Sequence, residues 1–264
     1  MNIRESFSLN GKLAMVTGGC QNFGLEIVSG LAQAGARVII TSRDNDKAVQ
    51  KAAELSRQLD AEIVGISMDL CYENSIVSLF ERIQNEFGIL DILVNNAGGH
   101  SPKACGYLEK ETLESWNAFI EPNLTGTFLT TREYARLMMP QRSGCIINIA
   151  SISSMVGRDR SVYAPPMIPN PVAYTAAKAG MIGLTYDTAA YLGEYGIRVN
   201  CVSPGGFERT QPQAFIDAYS NRTMLKRMGH EGDLKGVIVF LASEAAAYIT
   251  GHNLVVDGGF TKYK

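Results

Sequence analysis

The stretch that decides the fold runs from Lys12 to Gly24 and reads KLAMVTGGCQNFG. Its first half is a short apolar run, typical of a buried strand, and its second half is a glycine-rich turn that leads into a helical pattern. Such a turn lets backbone N–H groups approach a phosphate at the N-terminus of the helix. Gly18 is placed to make the tight turn, and Gly24 to let the helix pack closely on the strand. The spacing is TGxxxxxG rather than GxGxxG, so the interpretation of this loop depends on the rest of the chain.

Outward from this stretch, short apolar runs alternate with longer amphipathic segments. Apolar strands separated by helices indicate a parallel sheet that is buried on both faces. We therefore predict an α/β fold: a single Rossmann-like, doubly wound domain over residues 1–264, with a seven-stranded parallel sheet flanked by helices. The strands are predicted at Lys12–Thr17, Arg37–Thr41, Glu62–Ile66, Ile89–Val94, Cys145–Ile149, Ile197–Val202 and Asn253–Val256. The helices are predicted at Asp46–Leu59, Asn74–Phe87, Leu113–Met139 and Tyr174–Leu192.

The overall composition excludes several classes of protein. Hydrophobic residues make up 46% of the 264 positions and charged residues 19%, which excludes a disordered chain. The 24 basic and 26 acidic residues give a net charge of −2, so no nucleic-acid partner and no polybasic membrane anchor are predicted. Five widely spaced cysteines without a CxxC pair and three scattered histidines predict neither disulfides nor a metal site. The chain has no signal-like or membrane-spanning apolar run, and we predict a cytoplasmic protein.

Further short motifs follow the glycine loop in order along the chain. They are Asn95–Gly98 (NNAG), Asn123–Gly126 (NLTG), Ile149–Ser151 (IAS), Tyr174–Lys178 (YTAAK), Ser203–Gly205 (SPG) and Thr250–Gly259 (TGHNLVVDGG). Together with the glycine loop, this ordered set resembles the short-chain dehydrogenase/reductase family from about Leu9 to Phe260. The resemblance implies reversible hydride transfer between a nicotinamide and a carbonyl or secondary-alcohol carbon of a small-molecule substrate. It also implies a homotetramer or homodimer, in which the helices Leu113–Met139 and Tyr174–Leu192 pack across a two-fold axis.

The end of the second strand bears on the choice between NAD and NADP. An acidic residue there would accept hydrogen bonds from the ribose 2′-hydroxyl and repel a 2′-phosphate. The resemblance places Ser42 at this position, and Arg43 follows, well placed to pair with a 2′-phosphate. We predict NADP(H) in preference to NAD(H); the alternative is that Arg43 stacks on the adenine of NAD. Asp44 and Asp46 are interpreted as caps of the next helix.

The resemblance also implies the remaining cofactor contacts. One position departs from the family, which usually has a glycine where this chain has Asn22. Asparagine tolerates left-handed backbone better than other non-glycine residues, so we expect the loop to persist with slightly altered phosphate contacts. The predicted cofactor-binding residues are Gly18, Gln21, Asn22, Phe23, Gly24, Ser42, Arg43, Asp69, Leu70, Asn95, Ala97, Gly98, Tyr174, Lys178, Pro204, Gly205 and Phe207.

Tyr174 and Lys178 form the predicted catalytic pair. Positions i and i+4 share one face of a helix, so the phenol and the ammonium can lie side by side. The ammonium and a cationic nicotinamide are expected to lower the pKa of the Tyr174 phenol, so that it can act as an acid toward a ketone and a base toward an alcohol. By resemblance, Ser151 donates a hydrogen bond to the substrate oxygen, with Ser153 as a second choice. The resemblance further implies that Lys178 holds the nicotinamide ribose and that Asn123 holds a water that relays protons.

Two segments beyond strand ends are predicted to shape the substrate site. The insertion loop, about residues 155–172, carries four prolines, and the flap, about residues 205–230, follows a Pro-Gly-Gly break. Guanidinium groups beside hydrogen-bonding side chains suit a polyhydroxylated or acidic substrate, and both segments look similar to those of gluconate-type dehydrogenases. Arginines that face solvent are the alternative, and His100–Tyr107 is a possible third wall. The predicted substrate contacts are Ser153, Arg158, Arg160, Tyr163 and Arg209.

Three interpretations of function are compatible with these residues. The first is an NADP-dependent oxidoreductase that acts on a sugar or a sugar acid. The second is a 3-oxoacyl-thioester reductase, which would need a basic entry patch for an acidic carrier protein that the net charge does not support. The third is a non-enzymatic NADP(H)-binding sensor. A chain without Tyr174 or Lys178 would favour this interpretation, but both residues are present.

Overall fold

A seven-stranded parallel sheet organises the protein, whose computed structural model describes residues 2–98, 106–163 and 167–263. Its strands are β1 Leu13–Val16, β2 Arg37–Ser42, β3 Ile63–Ser67, β4 Ile92–Asn95, β5 Gly144–Ile149, β6 Ile197–Pro204 and β7 Asn253–Val256. They pair in parallel in the order β3-β2-β1-β4-β5-β6-β7. This sheet confirms the predicted α/β fold, and each strand lies within a few residues of its predicted bounds.

The helices after α1, which precedes β1, connect successive strands across the two faces of the sheet. Their bounds are α1 Ile3–Ser6, α2 Phe23–Gln33, α3 Asn45–Leu59, α4 Glu73–Glu86, α5 Leu113–Ile120, α6 Gly126–Met138, α7 Val172–Leu192, α8 Gln213–Ser220 and α9 Lys235–Ala242. The single helix predicted at Leu113–Met139 is divided, because a π-helical turn at Glu121–Thr125 joins α5 to α6. Pro122 lies in this turn and has no backbone N–H for the regular helical ladder.

The flap is less helical than its sequence suggests. Only α8 is helical within it, and Pro212 stands immediately before α8, where its fixed φ suits a helix start. Farther along the chain, Phe207 and Gly229 form an isolated parallel bridge that brings the two ends of the flap together. The flap therefore leaves the sheet at the end of β6 and returns to the same place.

Alternating strand side chains build two apolar layers, one on each face of the sheet. Ala14 and Val16 pack with α2, α3 and α9, whereas Leu13 and Met15 pack with α4, α6 and α7. Successive strand residues point to opposite faces, so a strand covered on both sides must be apolar throughout. This requirement explains why the apolar runs of the sequence mark the strands so clearly.

The order of the strands places the functional residues at one edge of the sheet. β1 pairs with β2 on one side and with β4 on the other, so the direction of winding reverses there. Ligands of such sheets bind outside the carboxyl ends of the strands at this reversal. None of the helices in the described ranges is both long enough and apolar enough to span a membrane.

Candidate active site

The glycine loop between β1 and α2 is closely packed against neighbouring backbone. Gly18 has φ of +64°, and a Cβ on it would lie 3.0 Å from the Cα of Ala97. A Cβ on Gly24 would lie 2.3 Å from the carbonyl oxygen of Gly18. Both positions therefore require glycine, as the sequence predicts.

Asn22 adopts an unusual backbone conformation at the start of α2. Its φ of 53° is positive as predicted, but its ψ of −134° lies outside the left-handed helical region that asparagine tolerates. Such strained backbone costs about 1–3 kcal/mol. The Asn22 side chain makes no capping hydrogen bond. The N–H groups of Gly24 and Leu25 donate to the carbonyls of Gln21 and Asn22, at 3.0 and 3.1 Å, and the positive end of the helix points toward the loop, where an anion can bind. The loop thus fits the pyrophosphate of a dinucleotide.

Two basic side chains stand near the end of β2. Arg43 is exposed in the turn that follows Ser42. Asp44 caps α3, as predicted, by accepting a hydrogen bond from the backbone N–H of Lys47 at 3.1 Å. The ammonium of Lys47 then reaches back to the glycine loop and donates to Oε1 of Gln21 at 3.0 Å. Lys47 was missed from the sequence, where its position in the first turn of α3 was the only signal.

Other predicted cofactor residues lie in the turns that follow the strands. The Asp69 carboxylate accepts from the N–H of Cys71 at 2.9 Å, and Leu70 is buried next to it. The N–H of Ala97 donates to Oγ1 of Thr17 at 2.9 Å. After Pro204 ends β6, the N–H of Gly205 donates to the carbonyl of Val256. These contacts order the rim of the cleft around the carboxyl ends of β1, β3, β4 and β6.

The predicted contact from Asn95 differs from the others, because its side chain is fully buried. Its amide donates to Asn148 at 2.9 Å and to Thr131 at 3.2 Å, and its oxygen accepts from Thr130 at 2.7 Å. This network joins β4, β5 and α6 and uses the polar atoms of the side chain. If Asn95 contacts a cofactor, it therefore does so through its backbone atoms.

Phe207 and Phe23 form an aromatic pair between the flap and the glycine loop. Their ring centres are 4.8 Å apart and their planes are nearly perpendicular. The guanidinium carbon of Arg209 lies 4.9 Å from the centre of the Phe23 ring. Arg209 was predicted to contact the substrate, but the structure directs it toward the glycine loop.

Tyr174 and Lys178 lie one turn apart on α7, as their spacing predicts. Lys178 is buried and donates to the carbonyl of Ile149 at 2.7 Å, while its Nζ lies 5.9 Å from the centre of the Tyr174 ring. Burial lowers the pKa of the Lys178 ammonium from 10.5 to about 8. The α7 helix thus presents a phenol and a buried amine toward the end of β5.

The phenol of Tyr174 is influenced by different neighbours from those expected. Burial raises its pKa, and the hydrogen bond with Ser151 and then the charge of Arg158 act in the opposite direction. The ammonium of Lys178, predicted to lower this pKa, is instead directed at Ile149. Ser151 itself follows β5 and accepts hydrogen bonds from the backbone and the hydroxyl of Ser153, at 3.2 and 3.0 Å.

Asn123 lies in the π-helical turn and leaves one polar atom unsatisfied. Its amide donates to the carbonyl of Phe119 at 2.9 Å, but its buried Oδ1 has no partner. A Cβ built on Gly98 would lie 2.3 Å from this oxygen and 3.4 Å from Nζ of Lys178. The oxygen and the ammonium therefore border the same glycine, an arrangement that suits the water predicted to link them.

A cavity of about 350 Å³ opens beside Ser151 and Tyr174. Ser153, Arg158 and Tyr163 line it, as predicted for substrate contacts. Arg160 does not line it, because its guanidinium donates to the carbonyl of Gly106 at 3.1 Å. The predicted third wall, His100–Tyr107, lies outside the described residues except for its last two positions. The two predicted segments also supply lining residues that were not predicted contacts, Asp159, Asn170, Gln211, Phe215 and Tyr219, whereas Phe260 comes from a part of the chain that the sequence did not indicate.

The whole chain matches known proteins of one family. The family model described as Enoyl-(Acyl carrier protein) reductase matches residues 19–261. The chain belongs to the short-chain dehydrogenase/reductase family. A 3-oxoacyl-(acyl-carrier-protein) reductase from Aquifex aeolicus is 36% identical over 255 residues, which cover 95% of this chain and 98% of the relative. A 2-dehydro-3-deoxy-D-gluconate 5-dehydrogenase from Formosa agariphila is 30% identical over 262 residues, which cover 97% and 94% of the two chains.

Solved structures of the short-chain dehydrogenase/reductase family share the fold over its full extent. The crystal structure of a gluconate 5-dehydrogenase from Burkholderia cenocepacia, in complex with NADP and tartrate, has a TM-score of 0.88. It is 31% identical and the match covers 100% of both chains. The protein is accordingly an oxidoreductase of the short-chain dehydrogenase/reductase type that uses a nicotinamide dinucleotide. The resemblance inferred from the ordered motifs is confirmed, and a non-enzymatic sensor is disfavoured.

Proposed function

We propose that this short-chain dehydrogenase/reductase interconverts a hydroxyl and a ketone group of a sugar acid, with NADP(H) in preference to NAD(H). The observation that supports this proposal most directly is that Arg158 lines the same cavity as Ser151 and Tyr174. Arg158 donates to the carbonyl of Asn170 at 2.6 Å, a neutral acceptor that leaves the positive charge of the guanidinium uncompensated. A carboxylate is the complementary ligand for a guanidinium.

The bound dinucleotide would supply or accept the hydride, and the side chains around the cavity would manage the proton. We assign Tyr174 as the group that gives a proton to the substrate oxygen or removes one from it. Ser151 donates a hydrogen bond to the same oxygen, where negative charge develops during reduction. Lys178 holds the nicotinamide ribose, and Asn123 and Lys178 hold the water that returns the proton to solvent. This assignment treats residues 1–264 as one catalytic domain.

The preference for NADP(H) is supported by charge at the end of β2. Ser42 has no carboxylate to repel a 2′-phosphate, Arg43 is exposed beside it, and Lys47 adds a second positive charge near Gln21. The gluconate 5-dehydrogenase of similar structure was crystallised with NADP. Charge-assisted hydrogen bonds from two such cations would stabilise a dianionic phosphate more than a hydroxyl.

The combined change of Arg43→Ala and Lys47→Ala is expected to weaken NADPH binding by about 10-fold to 100-fold, because each charge-assisted contact contributes about 1.5–3 kcal/mol before solvent screening. NADH binding should change less than about threefold, since NADH has no 2′-phosphate. Titration of each coenzyme by fluorescence measures both constants. Arg57→Ala, at the exposed far end of α3, is the control. Equal losses for both coenzymes would contradict the 2′-phosphate role.

Replacement of Arg158 tests the acidic substrate. Arg158→Gln is expected to raise KM for a sugar acid such as D-gluconate by about 10-fold to 100-fold, since it removes one charge-assisted carboxylate contact. Arg160→Gln is the matched control, because that arginine belongs to the same loop but bonds outside the cavity. Steady-state kinetics in both directions measure the effect. If both variants had the KM of the wild type, Arg158 would not bind the substrate, and its side chain would be interpreted as facing solvent.

A second candidate, reduction of a 3-oxoacyl thioester, is favoured by the identity to the Aquifex aeolicus reductase. A panel of neutral sugars, sugar acids and a 3-oxoacyl thioester, each with NADP(H) and NAD(H), separates the two activities by the absorbance of the nicotinamide. Turnover confined to the sugar acids is expected. Turnover of the thioester alone would show that the charge of Arg158 does not select the substrate.

We also propose that the enzyme is a cytoplasmic homotetramer or homodimer. Apolar side chains are exposed in the single chain on α5, α6 and α7, the three helices that correspond to the two segments expected at the interface. They are Leu113 on α5, Phe128 on α6, and Tyr186 and Tyr191 on α7. Such exposed apolar surface is typical of subunit contacts. Native mass spectrometry reports the number of subunits directly.

A further inference from the structure

Two walls of the substrate cavity are joined by an ion pair that the reaction itself does not use. Asp159, in the insertion loop, accepts a hydrogen bond from Nε of Arg222, which follows α8 in the flap. A second nitrogen of the same guanidinium donates to the hydroxyl of Ser161 at 2.9 Å. Asp159 also lines the cavity, next to Arg158 in the chain. A carboxylate and a guanidinium of adjacent residues thus face the same space.

Without Arg222, the negative charge of Asp159 would oppose the positive charge of Arg158. Asp159 is held in its ionised form, because hydrogen bonds from Ser161 and then the guanidinium of Arg222 lower its pKa. The three side chains together have a net charge of +1, whereas Arg158 and Asp159 alone have a net charge of zero. Whether this wall carries a net positive charge therefore depends on a residue that does not line the cavity.

We propose that Arg222 is a positioning residue for substrate specificity, which neutralises Asp159 and so leaves Arg158 free to attract an anionic substrate. The inference rests on the proposed function, because it concerns the sugar-acid site described above. It adds a specificity determinant from the flap that is 63 residues away from its partner in the chain.

A purely structural role for this pair is less well supported by the surrounding contacts. The two walls are also joined by a buried apolar cluster of Val162, Phe215, Tyr219 and Met228. The Tyr163 and Phe215 rings, one from each wall, have centres 5.2 Å apart. The side chains of Arg222 and Asp159 are 39% and 38% exposed, and exposed ion pairs contribute little to stability. Variants of the pair are therefore expected to fold with the walls joined.

The test compares three variants with the wild type on an acid and its neutral counterpart, D-gluconate and D-glucitol. Arg222→Gln is expected to raise KM for gluconate by about threefold to tenfold, because it leaves Asp159 uncompensated near Arg158. Asp159→Asn should lower that KM or leave it the same, since the net charge becomes +2. The double variant restores a net charge of +1 and should return KM to within about twofold of the wild type. KM for glucitol should change less than about twofold throughout.

The binding constants of both compounds for the enzyme–NADP⁺ complex, measured by calorimetry, accompany the kinetics. Two results would show that the pair acts only as a structural link and would overturn the inference. The first is that Asp159→Asn weakens gluconate binding as Arg222→Gln does. The second is that the double variant binds gluconate as weakly as Arg222→Gln. A wild type that does not distinguish gluconate from glucitol would overturn the proposed acidic substrate itself. The two failures are distinguishable, because the second appears before any residue is changed.

Discussion

Replacing Tyr174 with phenylalanine is expected to lower kcat by about 100-fold to 10,000-fold, because it removes the hydroxyl that we propose exchanges a proton with the substrate oxygen. The ring is retained, so its packing against Phe119, with ring centres 6.5 Å apart, should be preserved. Affinity for the dinucleotide should change little, since the variant keeps Lys178 and the glycine loop. Single-turnover kinetics and coenzyme titration separate these two effects.

The control is Tyr248→Phe, which removes a fully exposed phenol that does not line the cavity. It should retain wild-type kcat within experimental error. Turnover by Tyr174→Phe close to the wild-type rate would contradict the assigned role. It would then direct attention to Tyr163, which also lines the cavity, because the hydroxyl of the third lining phenol, Tyr219, already accepts from the N–H of Gly206 at 2.6 Å.

Replacing Lys178 with methionine is expected to abolish turnover yet stabilise the dinucleotide-free protein. The pKa of Lys178 falls from 10.5 in the unfolded chain to about 8 in the folded one, because the ammonium is buried. Below pH 8 both states bind the proton, and the folded state carries the full cost of a buried charge. Between pH 8 and 10.5 the unfolded state binds more protons than the folded state, so stability rises with pH across this window.

The methionine side chain removes this cost. The free energy of unfolding at pH 7 should therefore exceed that of the wild type by about 1–3 kcal/mol, and the difference should shrink as the pH approaches 10.5. Denaturant unfolding at pH 7 and pH 10, without nucleotide, measures both values. Lys51→Met is the control, because Lys51 is paired with Glu54 outside the core. A loss of stability at pH 7 would show that the hydrogen bond to Ile149 outweighs the cost of burial.

The sequence could predict the parts of the site that depend on local spacing. Tyr174 and Lys178 are four residues apart on one helix, so their proximity follows from helical geometry alone. Gly18 and Gly24 follow from the tight turn between a strand and a helix, and the structure shows that a Cβ would clash at both. Asn22 was only partly predictable, because its residue type is compatible with a positive φ but does not specify the ψ of −134°.

The sequence could not predict in which direction the long side chains of irregular segments point. Arg158, Arg160 and Arg209 were equivalent as candidates, yet only Arg158 lines the cavity. Arg160 is bound to the carbonyl of Gly106 and Arg209 lies over Phe23, and both partners are distant in the chain. No local periodicity encodes such contacts, because loops lack a repeating geometry that would direct a side chain.

By itself, the sequence determined the parallel sheet, the family and the proximity of Tyr174 and Lys178 on one helix. The physical reason is that burial of a two-faced sheet imposes apolar runs, and helix geometry imposes spacing, at every step along the chain. Only the tertiary structure decided where the charged side chains stand at the two ends of the cleft. Folding brings the Lys47 ammonium to the neutral amide of Gln21, 26 residues away, and the Arg222 guanidinium to the Asp159 carboxylate, 63 residues away. Such charges act through space rather than along the chain.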